Sequence, residues 1–251
     1  MKYFLLSALM GTSSLAYGQA DQHPFKPGIY VGVEGNILAN KATQLSNPSA
    51  HLATGEKFRE IRPALLVGYQ LKPRLGFETG LQMLPVVTGF AYARESATAY
   101  LGFSSNYING YLYVPLRTVY QLLSIKHRLR LSVMLGGGPA WTNLDSGLPI
   151  TPNGTTILAV TNADGSITTA SYTQQITHEQ STFALLEAGL RGSYWFADRL
   201  AIDLNVRQLW GLSASVRNID LTISTPNERL TTTLTTPVRG LTVGLGVRYT
   251  L

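Results

Sequence analysis

Apolar and polar residues alternate along most of this chain. In the segment LTVGLGVRYTL, residues 241–251, every second residue is apolar, and Thr, Gly or Arg lies between them. The segments RLGFETGLQM, residues 74–83, and LAIDLNV, residues 200–206, repeat this period of two. Such a period is that of a β-strand whose two faces differ in chemistry. Because helical periodicity is hard to find, the pattern predicts an all-β protein.

The alternation predicts eight strands joined by connections of two different lengths. The strands are expected at residues 28–40, 57–71, 75–87, 107–123, 129–141, 181–196, 200–213 and 237–251. Tight turns (KPR, SIKHR and ADR) follow the second, fourth and sixth strands, whereas the other connections are long, at 41–56, 88–106, 142–180 and 214–236. This rhythm predicts an antiparallel up-and-down transmembrane β-barrel with short periplasmic turns and long extracellular loops, the layout of outer-membrane barrels.

The longest predicted loop contains a hairpin signal. Asp164 and Gly165 lie between two Thr-rich extended runs, in TTILAVTNADGSITTASYT, and Asp-Gly is a favoured two-residue hairpin turn. The two runs are expected either to project above the membrane as strands or to join the barrel, which would then have ten strands. The sequence leaves both alternatives open.

The content of the polar face indicates which side of the barrel is enclosed. A soluble barrel buries its apolar face, whereas a membrane barrel turns that face outward to lipid. The polar face here is rich in Arg and poor in Lys, and an enclosed face favours Arg because its rigid fork pairs with carboxylates. We therefore expect a structural ion-pair network in the lumen, made of Glu34, Arg62, Glu78, Arg117, Arg130, Glu187, Arg191, Asp203, Arg207 and Arg248.

Aromatic residues on the apolar face lie near the tight turns or the C-terminus. They are Tyr69, Tyr120, Tyr194, Phe196 and Tyr249. Aromatic side chains at one level are typical of a membrane-interface girdle. Apolar runs such as 75–83 also approach the roughly 9–11 tilted residues that cross a bilayer. Both observations favour a membrane barrel over the alternative, an exported soluble β-sandwich or lipocalin-like barrel.

Composition excludes several classes of partner and site. The 251 residues include no Cys, so the chain has no disulfide and no thiolate metal site. Charged residues make up 14% of the chain, against about 25% in soluble domains. The net charge of +6 is scattered rather than clustered, which predicts no nucleic-acid partner.

The N-terminus predicts export. The segment MKYFLLSALMGTSSLAYGQA has a positive start at Lys2, an apolar core, and small residues at Ala16, Gly18 and Ala20. These features are those of a secretory signal peptide. We expect a signal peptide at residues 1–18, with cleavage after Gly18 or Ala20, and an outer-membrane barrel domain at residues 19–251.

Three strand segments resemble those of the small outer-membrane β-barrel "porin family" proteins of Bacteroidota-type bacteria. They are YLYVPLRTVYQLL (111–123), VMLGGGPAWTNL (133–144) and LAIDLNVRQLWGL (200–212). The resemblance implies an outer-membrane location and an eight-stranded meander, but no particular activity. It also implies a C-terminal signal for the barrel-assembly machinery at Gly246, Tyr249 and Leu251, where Leu251 replaces the usual Phe.

Residues suited to catalysis are few. His178, with Glu179 and Ser181 close by, is the nearest approach to a hydrolase constellation, but no second acid or oxyanion feature accompanies it. We therefore expect no catalytic residue, no cofactor and no metal. Eight-stranded barrels are filled by their own side chains. The expected role is structural, adhesive or surface-interacting, with outer-membrane lipid and an extracellular ligand of the loops as partners; the alternatives are a narrow porin and a lipid or peptide hydrolase.

Pro115 interrupts the fourth predicted strand. Proline removes a hydrogen-bond donor from the ladder and is found mainly at edges and bulges. We expect a bulge or a tolerated kink at this position.

Overall fold

The protein is all-β over the residues that its computed structural model describes. These are residues 27–40, 44–47, 49, 51–54, 61–95, 100–126, 128–144, 154–161, 167–226 and 228–251. The predicted signal peptide at residues 1–18, its cleavage sites and the Asp164–Gly165 turn lie outside these ranges. Within them, no helix is long and apolar enough to cross a membrane.

The strands follow one another in chain order. They are β1 (Gly28–Asn40), β2 (Gln44–Leu45), β3 (Leu52–Thr54), β4 (Ile61–Lys72), β5 (Leu75–Glu95), β6 (Tyr100–Tyr113), β7 (Leu116–Ile125), β8 (Leu129–Leu144), β9 (Gly154–Thr161), β10 (Ile167–Glu179), β11 (Thr182–Ala197), β12 (Leu200–Gly211), β13 (Arg217–Thr225), β14 (Glu228–Thr236) and β15 (Arg239–Thr250).

The described residues contain a closed antiparallel barrel of eight strands, with β6 and β7 as two parts of the fourth strand. Each of β1, β4, β5, β6–β7, β8, β11, β12 and β15 pairs with its neighbours in chain order. The last strand closes on the first, with Tyr30 opposite Thr250 and Asn40 opposite Gly240. The prediction of an eight-stranded meander is confirmed.

Pro115 interrupts the fourth strand without a bulge. On the β5 side, Tyr113 lies opposite Gln82 and Leu116 opposite Thr79, so the register is the same before and after the proline. The Thr79 hydroxyl donates a hydrogen bond to the Pro115 carbonyl at 2.9 Å. Of the two alternatives expected here, the bulge is therefore excluded. The missing N–H interrupts the ladder only locally, while the flanking pairs hold the register.

Several predicted loops contain strands. The long connection expected at 88–106 is mostly a continuation of β5 and β6, which run to Glu95 and from Tyr100. The connections at 142–180 and 214–236 contain the hairpins β9–β10 and β13–β14. With β2 they form a second, five-stranded sheet in the order β2-β14-β13-β10-β9. Strands therefore project beyond the barrel rather than joining it.

The second sheet packs on β3 and the upper part of β5 at the long-loop end of the barrel. Its inward face carries Ala170, Ile219, Leu221, Ile223 and Leu234, which are buried against Leu52, Phe90 and Tyr92. The rings of Phe90 and Tyr172 meet edge to face at 5.7 Å. This apolar core explains why the Thr-rich loops fold: β13, for example, turns Ile219, Leu221 and Ile223 inward and alternates them with polar residues.

The outer surface of the barrel is an apolar belt. Side chains that would form a core in a soluble protein lie exposed on every barrel strand, including Val33, Leu65, Leu81, Leu116, Leu135, Leu190, Leu204 and Leu245. A contiguous exposed apolar surface of this size marks contact with a partner or a membrane. The enclosed face of the barrel is the polar one.

Candidate functional site

The middle of the lumen is filled by an ion-pair network. Among the described residues, Arg117, Arg191, Arg207 and Arg248 are buried together with Glu34, Glu78, Glu187 and Asp203. Each of these residues comes from the polar parity of its strand, so the eight side chains converge on the barrel axis. Four positive and four negative charges make this layer formally neutral, as burial requires.

Glu78 is the first centre of the network and accepts three side-chain hydrogen bonds. Arg191 Nη2 donates to Glu78 Oε2 at 2.7 Å, and Arg191 Nη1 donates to Oε1. The Tyr30 hydroxyl donates to the same Oε1 at 2.9 Å. Arg191 Nε in turn donates to Asn205 Oδ1 at 2.8 Å. Strands β1, β5, β11 and β12 are thereby tied together across the lumen.

Glu34 is the second centre of the network. Asn205 Nδ2 donates to Glu34 Oε1 at 2.7 Å, and Arg207 Nη2 donates to Oε2 at 3.2 Å. Arg207 also donates to Asn36 Oδ1 at 2.6 Å. Because Glu34 also lies 3.8 Å from Arg191, the clusters around Glu34 and Glu78 form one continuous layer.

Two further ion pairs complete the layer. Arg117 donates through Nε to Glu187 and through Nη2 to Gln82 Oε1 at 3.2 Å. Arg248 Nη2 donates to Asp203 Oδ1 at 3.1 Å and to the Ser193 hydroxyl at 3.0 Å. Arg248 lies closest to the tight-turn end, since Asp203 and Ser193 flank the short β11–β12 turn.

The remaining two predicted members lie at the ends of the network. Arg62 is half-buried opposite Asn36 on β4, toward the long loops. Arg130 is half-buried just after the tight turn, with its guanidinium carbon 4.9 Å from the centre of the Trp195 ring.

Sequence reasoning missed the uncharged members of the network. Asn36 and Asn205 bridge charged groups, and Gln82 accepts from Arg117. Each of the three lies two or four residues from a predicted carboxylate on the same strand face. Their shared parity with Glu34, Glu78 and Asp203 was the signal that could have identified them.

Glycines on the lumen face leave room for the large side chains beside them. A Cβ atom at Gly68 would lie 2.2 Å from the Tyr30 ring, which crosses above that backbone. A Cβ at Gly246 would lie 2.7 Å from Glu34 Cγ and equally close to the Val33 carbonyl. Gly246, predicted as part of an assembly signal, therefore also makes space for Glu34 in the folded barrel.

An apolar layer closes the lumen above the network, toward the long loops. We call it the plug. It consists of Leu38, Leu84, Val86, Tyr111, Tyr113, Ala140, Phe183, Leu185, Leu209, Val216 and Val238. The rings of Tyr111 and Phe183 meet at 4.9 Å in an edge-to-face contact. The sequence carries a signal for this layer, because residues such as Leu38, Leu185 and Leu209 are apolar positions on the otherwise polar face.

The predicted aromatic girdle residues are exposed near the tight turns. Tyr69, Tyr120, Tyr194, Phe196 and Tyr249 all point outward. Tyr69 lies opposite Phe77, an exposed aromatic residue that the predicted girdle did not include. Tyr249 lies opposite Leu200 and Val31 on the two neighbouring strands. Leu251, the last predicted signal residue, donates its backbone N–H to the Ile29 carbonyl at 2.9 Å.

His178 and its neighbours lie at the base of the second sheet. His178 is exposed opposite Asn218, next to a register shift in β10. Glu179 pairs with Arg217 of β13. Ser181 is exposed before β11 begins. The carboxylate of this group is therefore engaged by an arginine from a neighbouring strand. Among the described residues, no group of His, Asp and Glu could hold a metal ion.

Comparison with known proteins gives only distant structural likeness. No protein-family model and no curated protein matches the chain. The Neisserial surface protein A (NspA) is similar at 14% identity and a TM-score of 0.43, covering 90% of this chain and 99% of that one. A major outer membrane protein from Thermus thermophilus is similar at 10% identity and a TM-score of 0.44, with 90% and 100% covered. Likeness at this level carries no argument about what this chain binds or does, and its membership of the porin family stays a prediction.

Proposed function

We propose that this protein is an integral β-barrel of a bacterial outer membrane that holds a β-sheet at the cell surface and does not conduct solutes. Its role is structural, adhesive or surface-interacting, and it is not an enzyme. Its partners are outer-membrane lipid, the barrel-assembly machinery and an extracellular ligand of the second sheet.

The apolar belt supports the membrane location. A side chain such as Leu245, 61% exposed in the middle of β15, has no protein neighbour to cover it. The hydrophobic effect favours removing such a surface from water by about 25 cal/mol per Å². Lipid provides the cover over the whole circumference, and the aromatic residues near the turns match the interface of a bilayer.

The observation that carries the non-conducting role is the double closure of the lumen. A solute would have to pass an ion-pair layer and then the plug, which lie one above the other along the same strands. On β11, Phe183 and Leu185 belong to the plug, whereas Glu187 and Arg191 belong to the ion-pair layer. Opening either layer would expose apolar side chains or separate buried charges, and both changes are costly.

The second sheet supports a surface role. Its outward face is rich in hydroxyl and amide groups that are already ordered by their neighbours. Thr233 donates to Asp220 at 2.7 Å, and Thr155 and Thr173 lie within hydrogen-bond distance at 2.9 Å. A pre-ordered polar face suits recognition of an extracellular ligand, since little side-chain entropy is lost on binding.

Planar-bilayer conductance tests the proposal. The purified chain is expected to give no steps above background, with a known diffusion porin as the positive control. A stable, ion-selective pore would support the narrow-porin alternative instead. Extraction from membranes only by detergent, and a heat-dependent shift in gel mobility, are expected for the folded barrel. Release by osmotic shock would favour the soluble alternative, and lipid or peptide hydrolysis lost in His178→Ala or Ser181→Ala would favour the hydrolase.

A further inference from the structure

A cavity lies inside the barrel at the tight-turn end, below the ion-pair network. We call it the vestibule. Its volume is about 220 Å³, and its lining includes Arg74, Arg130, Arg248, Trp195 and Asp198. This falls below the roughly 300–1,000 Å³ of pockets for drug-sized ligands. The vestibule therefore suits a small ligand or a single functional group.

The lining of the vestibule is basic. Arg248 is paired with Asp203 behind the cavity wall at 3.1 Å. Beyond that pair, the charged lining residues that the structure describes are two arginines, Arg74 and Arg130, and one carboxylate, Asp198. Two positive charges and one negative charge leave the lining at +1. A low-dielectric wall around such a charge strengthens its attraction for an anion.

The arginines of the vestibule are held in place by aromatic rings. The guanidinium of Arg248 lies 4.9 Å from the Tyr30 ring and 5.4 Å from the Trp195 ring. Arg130 lies 4.9 Å from the same Trp195 ring. Two like charges thus share one indole, which keeps both forks ordered but adds repulsion between them. An anion bound beside them would reduce that repulsion without new reorganisation of the site.

The arginines that line the vestibule are suited to an oxyanion. Arg130 and Arg248 both line the cavity, and each carries a planar set of N–H donors. Trp195 Nε1 and Arg248 Nε lack acceptors among the described residues, but both atoms are buried beside the cavity and are not open to it. The oxygen atoms of a phosphate or carboxylate group accept hydrogen bonds from guanidinium groups and carry the charge that the lining attracts.

We propose that the vestibule binds a small oxyanion, a phosphate or carboxylate group of a soluble molecule. Arg130 and Arg248 donate to its oxygens, and Arg74 adds electrostatic attraction at the rim. Entry of the ligand from the periplasm rests on the proposed function, which turns the tight-turn end of the barrel to that side. The binding itself requires only the folded barrel, so it holds whether or not the lumen conducts.

Tryptophan fluorescence tests the proposal on the folded chain in detergent micelles. Of the three tryptophans, Trp141 and Trp210 are replaced by Phe so that Trp195 alone reports. Inorganic phosphate and succinate are titrated separately at constant ionic strength, with sodium chloride as the control anion. Calorimetry on the unmodified chain checks that these replacements do not create the signal.

A saturable change with phosphate or with succinate, and not with chloride, is the expected result. The anion that binds more tightly indicates whether the natural ligand carries a phosphate or a carboxylate group. Arg130→Gln is expected to weaken binding about tenfold or more, the loss of one charged contact. Arg74→Gln tests the rim charge with little risk to the fold. Arg229→Gln, at an exposed site on the second sheet, is the matched control and should bind as the unmodified chain does.

Three results would overturn the proposal. One is the absence of a saturable change with both anions. Another is an equal response to chloride, which would mean an ionic-strength effect. The third is equal affinity in Arg130→Gln and Arg229→Gln, which would mean that binding lies elsewhere. None of these results depends on bilayer conductance, so failure here and failure of the proposed function are distinguishable.

Discussion

Arg191 and Glu78 form a two-bond ion pair across the lumen. Arg191 Nη2 lies 2.7 Å from Glu78 Oε2, and the other nitrogen of the fork bonds the other oxygen. Their strands, β11 and β5, are not neighbours in the barrel, so the pair braces walls that share no backbone hydrogen bonds. Both side chains are buried, and water cannot replace a lost partner.

Removing one member of this pair should strongly destabilise the barrel. Glu78→Gln leaves the Arg191 charge buried without its counterion and should lower the free energy of unfolding by about 3–5 kcal/mol. Denaturant unfolding of the barrel in lipid vesicles measures the change. Asp220→Asn is the control, because the Asp220 carboxylate is exposed on the second sheet and loss of its charge should change stability by less than about 0.5 kcal/mol.

The double variant Glu78→Met with Arg191→Met tests whether the cost comes from the unpaired charge. Its loss of unfolding free energy should be smaller than the sum of the losses in Glu78→Met alone and Arg191→Met alone, since the double variant leaves no charge without its partner. Additive losses would contradict this interpretation.

Gly246→Ala should destabilise the folded barrel because the new methyl group would overlap Glu34. Overpacking of this kind costs about 1–3 kcal/mol. Gly192→Ala is the matched control on β11, since a Cβ there meets nothing within 4 Å. Comparing refolding in vitro with assembly in cells separates two roles of Gly246. A defect in cells alone would mean that the residue acts through the assembly machinery rather than through packing.

Phe183→Ala should weaken the plug without opening the lumen. Loss of a buried phenyl ring costs about 3–5 kcal/mol. Conductance should nevertheless stay at background, because the ion-pair layer below still closes the barrel. Leu212→Ala, at a side chain that is 63% exposed, is the control and should change stability by less than about 0.5 kcal/mol. Conductance in Phe183→Ala, and not in Leu212→Ala, would mean that the plug is the only barrier.

Leu245→Arg tests whether lipid or water surrounds the apolar belt. If lipid covers Leu245, the charge should cost about 2–4 kcal/mol of unfolding free energy in vesicles. Leu251→Arg is placed beyond the aromatic level on the same strand and should cost about 0–1 kcal/mol. Equal and negligible effects at both positions would contradict a membrane-embedded belt.

The strands near the C-terminus were predictable almost to the residue. β12 was expected at 200–213 and lies at Leu200–Gly211, and β15 was expected at 237–251 and lies at Arg239–Thr250. Their strict alternation of apolar and polar residues allows only one face to be enclosed. The upper parts of β5 and β6 were missed, because Thr, Ser, Gly and Asn in that region are typical of loops. The second sheet covers Phe90 and Tyr92 of the upper β5, and β6 pairs with that part of β5 along its length.

The sequence by itself determined the strands and their two faces, because a period of two places Arg and acidic residues on one face and aliphatic residues on the other. The choice between eight and ten strands came from the structure. It also determined which residues could enter the lumen, because parity alone places Glu34, Arg207 and Arg248 on one side. Only the tertiary structure determined which arginine pairs with which carboxylate. Register between strands far apart in sequence brings Arg191 to Glu78 and Arg248 to Asp203, and stacks the plug above the ion pairs and the vestibule below them. Pairing across a closed lumen depends on the relative stagger of eight strands, which no local pattern encodes.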